Sequence, residues 1–135
     1  MDTTILQLDS RVFRLVYFRV KETGDLESVE LGTSAVHLGD SIRETGYIGR
    51  RAWIEALAIA SELVDAARER IPNAHLVVLA SETVASAENA EGFFTALRRR
   101  TGVAPEVLLP AEVVSLITRP NAPERRSPSV FPVPL

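Results

Sequence analysis

At 135 residues and 14.8 kDa the chain is sized for one domain with its own hydrophobic core. A net charge of -3 excludes a sequence-independent nucleic-acid binder, and the lack of cysteine excludes disulfides, thiolate metal sites and thiol catalysis. Met1-Asp2-Thr3-Thr4 shows no basic stretch followed by an apolar one, and no apolar run is long enough to cross a bilayer, so a cytoplasmic protein without membrane contact is expected.

Ile5 to Leu8 and Val12 to Val20 read as two strands, the second β-branched and aromatic over most of its length. Asp9-Ser10-Arg11 is the turn between them. Lys21-Glu22-Thr23-Gly24-Asp25 is a second turn, with Gly24 available for a positive φ. Leu26 to Leu38 reads as a third strand, with Val29, Leu31 and Thr33 on one face and Glu30 and Gly32 on the other. Three strands joined by short turns predict an antiparallel meander. Residues 39–49 read as a loop.

Arg50 to Ile71 predicts a long helix, because Trp53, Leu57, Ala60, Val64, Ala67 and Ile71 recur at spacings of three and four. Trp53 is its expected anchor, and Pro72-Asn73 ends it. Leu76 to Leu79 is a buried strand. Residues 80–89 form the loop after it. A helix follows from Ala90 to Arg100, with Gly102 placed to close it and Arg98-Arg99-Arg100 suited to its negative end. Residues 105–109 read as a short strand and Glu112 to Ile117 as a helical turn. Five of the eight prolines fall at positions 120 to 134, so residues 118–135 read as a disordered or extended tail behind a 1–117 domain.

The order is thus β-β-β-α-β-α-β-α, and four stretches carry a family resemblance. Leu8-Asp9-Ser10-Arg11-Val12-Phe13-Arg14-Leu15-Val16-Tyr17 is similar to the strand-turn-strand D-I-G-S-N-S-x-R-L-x-V. Glu44-Thr45-Gly46-Tyr47-Ile48 is similar to E-T-G-x-L. Ala80-Ser81-Glu82 through Glu88-Asn89-Ala90-Glu91-Gly92-Phe93 is similar to A-T-S-A-x-R-x-A-x-N-x-x-x-F. Glu106-Val107-Leu108-Leu109-Pro110-Ala111-Glu112 is similar to E-V-I-S-G-x-E-E-A. In these the chain resembles the N-terminal lobe of the exopolyphosphatase/guanosine pentaphosphate phosphatase (Ppx/GppA) family. The resemblance spans roughly residues 3 to 117. It implies an α/β fold: a single actin-like, ribonuclease-H-like lobe with a mixed five-stranded sheet and helices packed on it.

The departures bear on chemistry. Aligned without gaps from Arg14 backwards, the family's first-turn Asp, which takes part in metal and phosphate handling, falls on Gln7 and its turn Gly on Asp9. Alternatively Asp9 is that Asp, and the turn is two residues shorter. Either way the glycine whose backbone approaches phosphate is lost. The third motif's phosphate-clamping Arg falls on Ala85, the fourth motif's Gly on Pro110 and its second Glu on Val113. Glu112 survives at the position matching the catalytic Glu. The family's site lies between two lobes, and the second would begin where this sequence stops.

The resemblance therefore implies Glu112 as general base, Ser10, Arg11 and Ser81 as phosphate contacts, and Asp9 as ligand for Mg²⁺ should the protein be active. Asp9, Glu82 and Glu112 would be the three carboxylates of such a metal site. Each residue also has a structural alternative: Glu112 as a first-turn helix carboxylate, Ser81 bonding local backbone, Asp9 and Glu82 as solvated acids. Glu82 opposes anion binding. His37 and His75 lie on different expected strands without metal spacing. Ser34, Ser41 and Ser61 form no nucleophile elbow with a histidine. Arg50-Arg51 at a helix start oppose the dipole and call for an acidic neighbour.

These readings lead to two expectations. The first is a non-catalytic binding or regulatory module with no required cofactor. It would associate with itself or with a full-length family member, and a phosphate-rich small molecule remains open as a ligand. The second is a phosphohydrolase acting on polyphosphate or guanosine pentaphosphate, with its cleft completed by another chain.

Overall fold

The computed structural model describes residues 2–107. Three strands, β1 (Asp2–Leu8), β2 (Val12–Val20) and β3 (Leu26–Ala35), open the chain. Two helices follow, α1 (Leu38–Thr45) and α2 (Arg50–Arg70). Then come β4 (His75–Ala80), α3 (Glu82–Ala85), α4 (Ala90–Thr101) and β5 (Glu106–Val107). One five-stranded sheet runs in the order β3-β2-β1-β4-β5. β1 pairs antiparallel with β2 and parallel with β4, β2 pairs antiparallel with β3, and β4 pairs parallel with β5. The sheet is therefore an antiparallel meander joined at β1 to a parallel half. Among the described residues no helix is long and apolar enough to cross a membrane.

β1 is flanked on both sides, so its side chains are buried on both faces, and Ile5, Leu6 and Leu8 are at most 2% exposed. Side chains of a strand alternate between faces, which sorts the core in two. Leu6, Leu8, Phe13, Leu15, Val78 and Ala80 join the helices α2 and α4 in the main cluster. Among the described residues, Ile5, Val16, Phe18, Val77 and Leu79 form a second buried cluster on the opposite face, all from strands.

α2 lies on the main face, and its deepest line is Ala56, Ala60, Val64 and Ala67. This line is rotated from the expected stripe: Trp53 and Leu57 flank it, half-buried. Alanines on the deepest line let the helix axis approach the strands closely. Trp53 turns instead toward α4, meeting Phe93 edge-on with ring centroids 5.3 Å apart. Phe93 is fully buried. The C-terminal ends of α2 and α4 are joined by Arg68, whose Nη2 donates to the Thr101 carbonyl at 2.7 Å.

Four expectations change. Residues 39–49 are not all loop: Leu38–Thr45 forms α1, with Leu38 buried on the core and Gly39 pressed against Ser10. A Cβ on Gly39 would come within 3.2 Å of the Ser10 hydroxyl, so glycine here lets α1 approach the β1–β2 turn without displacing Ser10. β3 ends at Ala35 rather than Leu38, and His37 sits at the α1 N-terminus rather than on a strand. The β2–β3 register shifts at Leu15/Val16, pairing Arg14 with Thr33 and Val16 with Glu30. Leu31 is thereby bulged out, and Thr33 shares a face with Glu30 rather than with Val29. Within the expected 80–89 loop, Glu82–Ala85 makes one helical turn, α3. Gly24 and Gly102 both take the positive φ expected of them.

Candidate functional site at the carboxyl end of the parallel strands

β1 and β4 run parallel, so Leu8 and Ala80 end side by side, and the residues after them meet. The Ser81 amide donates to the Leu8 carbonyl at 3.0 Å. This brings the β1–β2 turn (Asp9, Ser10, Arg11) and Ser81 to one end of the sheet, where ligands bind in open α/β sheets. Asp9 and Arg11 are exposed, and Ser10 and Ser81 are half-buried. Glu112 lies outside the described residues.

Backbone polar groups here, and the Ser81 hydroxyl, bond the chain itself. The Asp9 amide donates to Val12 O at 3.1 Å, which closes the turn. The Ser10 carbonyl accepts from the Gly39 amide at 2.9 Å, and the Arg11 carbonyl accepts from the Val36 amide at 3.0 Å. Ser81 is the N-cap of α3, its Oγ accepting from the Val84 amide at 3.3 Å. Glu82 is exposed in the first turn of α3, and Ala85 offers a methyl group. Among the described residues no three His, Asp or Glu side chains gather as a metal site requires.

A second junction adjoins this end, where the α1–α2 loop meets the α3–α4 loop. Asn89 clamps the Ile48 backbone with both ends of its amide. Its Oδ1 accepts from Ile48 N at 2.8 Å, and its Nδ2 donates to Ile48 O at 3.0 Å. The Glu88 amide donates to the Gly46 carbonyl at 2.8 Å alongside. Gly46 closes α1 at φ 84°, a left-handed conformation that glycine takes without strain. Thr45 Oγ1 donates to the Ser41 carbonyl at 2.9 Å and accepts from the Tyr47 amide at 3.0 Å. Ser41 Oγ donates to Tyr47 O and accepts from Gly49 N. Thr45, Gly46 and Asn89 stand in two motifs about forty residues apart, and nothing in either motif by itself signals that they touch.

Arg50 and Arg51 open α2 with no acidic residue in its first turn and no capping side chain. His37 Nδ1 lies 3.1 Å from Glu55 Oε1, an exposed pair that the sequence did not foreshadow.

The mixed sheet and its helices define an α/β lobe of the actin-like, ribonuclease-H-like class. A solved Ppx/GppA family member from Aquifex aeolicus shares it with a TM-score of 0.71 and 25% identity, over 80% of this chain and 35% of that one. An exopolyphosphatase from Cytophaga hutchinsonii superimposes with a TM-score of 0.73 at 18% identity, over 87% of this chain and 37% of that one. The ethanolamine utilization protein EutJ of Carboxydothermus hydrogenoformans is more distant, with a TM-score of 0.52 and 10% identity. Within the class, the described chain is a Ppx/GppA-like lobe in fold. It spans little more than a third of the length of the Ppx/GppA structures it matches. No protein-family model and no curated protein sequence matches it.

Proposed function

We propose that this chain is a non-catalytic binding or regulatory module built on a Ppx/GppA-like lobe. The observation that carries the reading is the state of the sheet's carboxyl end. The positions that would hold phosphate bear Asp9 and Ala85, and the Asp9 amide, the Ser81 amide and the Ser81 hydroxyl are turned inward onto the chain's own backbone. An anion arriving there would meet the Glu82 carboxylate and would have to break existing hydrogen bonds. Losing one positioned electrostatic group costs on the order of a hundredfold to a thousandfold in rate. The absence of the resemblance's Arg at position 85, where this chain has Ala85, would alone account for that much.

The module's partners are then further copies of itself or a full-length Ppx/GppA protein. The competing reading is suggested by the exopolyphosphatase name of one structural neighbour. It makes the chain a polyphosphate or guanosine pentaphosphate hydrolase using Glu112, Mg²⁺ and a second chain.

Thermal unfolding with and without Mg²⁺, polyphosphate, guanosine pentaphosphate and ATP separates the two. A ligand at a hundred times its dissociation constant adds about 2.7 kcal/mol, several degrees for a domain of this size. The binding-module reading expects no Mg²⁺-dependent shift from any of the three. A shift of several degrees that needs Mg²⁺ overturns the claim that this end of the sheet has lost its phosphate chemistry, and moves the question to activity.

A further inference from the structure

α2 begins against its own electrostatics. Arg50 and Arg51 place two guanidinium groups in a first turn that holds no acidic residue, at the positive end of the helix dipole. Both are exposed, and neither forms an ion pair among the described residues. Glu55, one turn on, is already engaged with His37 at 3.1 Å. Beside the arginines Ile54 is 58% exposed, more than any other large hydrophobic side chain among the described residues. Arg50, Arg51, Ile54 and Glu55 line one shallow depression. It offers an apolar floor with two cationic groups at its edge.

The opposite chemistry stands at the far end of the molecule. β2 and β3 meet in the turn 21–25, level with the start of β1: Arg19 pairs in register with Asp2, and Val20 pairs with Leu26. Val20 and Leu26 are 40% and 44% exposed, a cross-strand apolar pair at the hairpin tip. Glu22 and Asp25 flank it in the turn. Lys21 lies 3.8 Å from Glu27, which leaves Glu22 and Asp25 without an ion pair among the described residues. The tip thus carries two carboxylates beside an apolar pair, and the start of α2 carries two guanidinium groups beside Ile54. The start of α2 lies at the carboxyl end of β4 and the hairpin tip at its amino end, so the two patches cannot meet within one molecule.

We propose that they meet between molecules: the β2–β3 hairpin tip of one copy docks on the depression at the start of α2 of the next. Glu22 and Asp25 face Arg50 and Arg51, and Val20 and Leu26 cover Ile54. Such a contact joins different patches on the two copies, so it propagates head to tail into a chain or ring rather than closing a two-fold dimer. Its small area and exposed charges make it weak and salt-sensitive. This deepens the binding-module reading and rests on it. The readouts are separate, because ligand-dependent melting can fail without touching self-association, and the reverse.

The test is sedimentation of the full chain over a range of concentrations at low and high salt. Reversible association beyond a dimer is expected, weakening as salt rises. Arg50→Glu with Arg51→Glu, and separately Glu22→Arg with Asp25→Lys, should each weaken it about tenfold or more. An equimolar mixture of the two charge-reversed proteins should associate again, because each then offers what the other lacks. Ile54→Ser should weaken association with the charges intact. Unchanged melting of each variant shows that the fold is kept. A monomer under all conditions, a closed two-fold dimer, or a mixture that fails to recover association overturns the proposal.

Discussion

Where the 46–49 loop meets Asn89, polar side chains hold two helix junctions together. Where the β1–β2 turn meets Ser81, the Asp9 and Ser81 amides and the Ser81 hydroxyl bond the chain's own backbone. Both regions lie at the same end of one sheet and fall within stretches that resemble the same family. Thr45, Gly46 and Asn89 keep the residue types of that resemblance because loop geometry requires them: a left-handed helix end, a hydroxyl that bonds backbone on both sides, and an amide that donates and accepts at once. Asp9 and Ala85 depart from it where geometry requires nothing of the kind. On the proposed reading, the lobe keeps the residues that build it where those that would act on a ligand depart from the resemblance.

The sharpest way to break the comparison is through the core that both regions share. Phe93 is fully buried against Trp53, so Phe93→Ala should cost about 3–5 kcal/mol and lower the melting temperature by well over ten degrees. Near-native melting would mean that the face joining α2 and α4 is not the main core.

Asn89→Ala comes next. It strands the Ile48 amide and carbonyl, and a loss of about 1–3 kcal/mol is expected in denaturant unfolding. Asn89→Asp keeps the acceptor and loses the donor, so it should fall between wild type and Asn89→Ala. Equal stability of all three would remove the clamp from the account.

At the other region, Arg11→Gln and Asp9→Asn should change stability by less than about 0.5 kcal/mol, since both side chains are exposed and neither enters an ion pair among the described residues. A larger loss in the Asp9 variant would place that carboxylate in a network this account leaves out.

The smallest effect concerns Glu106, whose carboxyl burial pushes above its ordinary range. A raised folded-state value means that the folded form holds the proton more tightly. The group's contribution is then fully present at low pH and is lost as pH rises through the folded value. Glu106→Gln should therefore flatten a slight decline in stability just above pH 4.5, measured as melting temperature against pH. An unchanged profile would assign that decline to other groups.

Much of the fold was legible because periodicity carries it. The β-branched run of β2, the spaced apolar residues of α2 and the Pro72 stop gave boundaries within a residue or two. α1 was hidden because its eight residues include Gly39, a poor helix former, and its start has no capping side chain. Its glycine answers to a contact with Ser10, which no local pattern can announce. The bulge at Leu31 was invisible for the same reason, since strand alternation is read one strand at a time and a register shift belongs to a pair. At the candidate site, the grouping of Asp9, Ser10, Arg11 and Ser81 followed from the family resemblance, since periodicity set no strand order. The inward commitment of their backbone did not, because turn hydrogen bonds depend on geometry more than on residue type.

The central claim is that this lobe has kept its framework without the chemistry. The most direct measurement is inorganic phosphate released from polyphosphate and from guanosine pentaphosphate in the presence of Mg²⁺, comparing the wild-type chain with Glu112→Gln. The account predicts no release above the buffer rate by either protein. Release by the wild type that Glu112→Gln abolishes would contradict it and place a working general base at the end of the sheet.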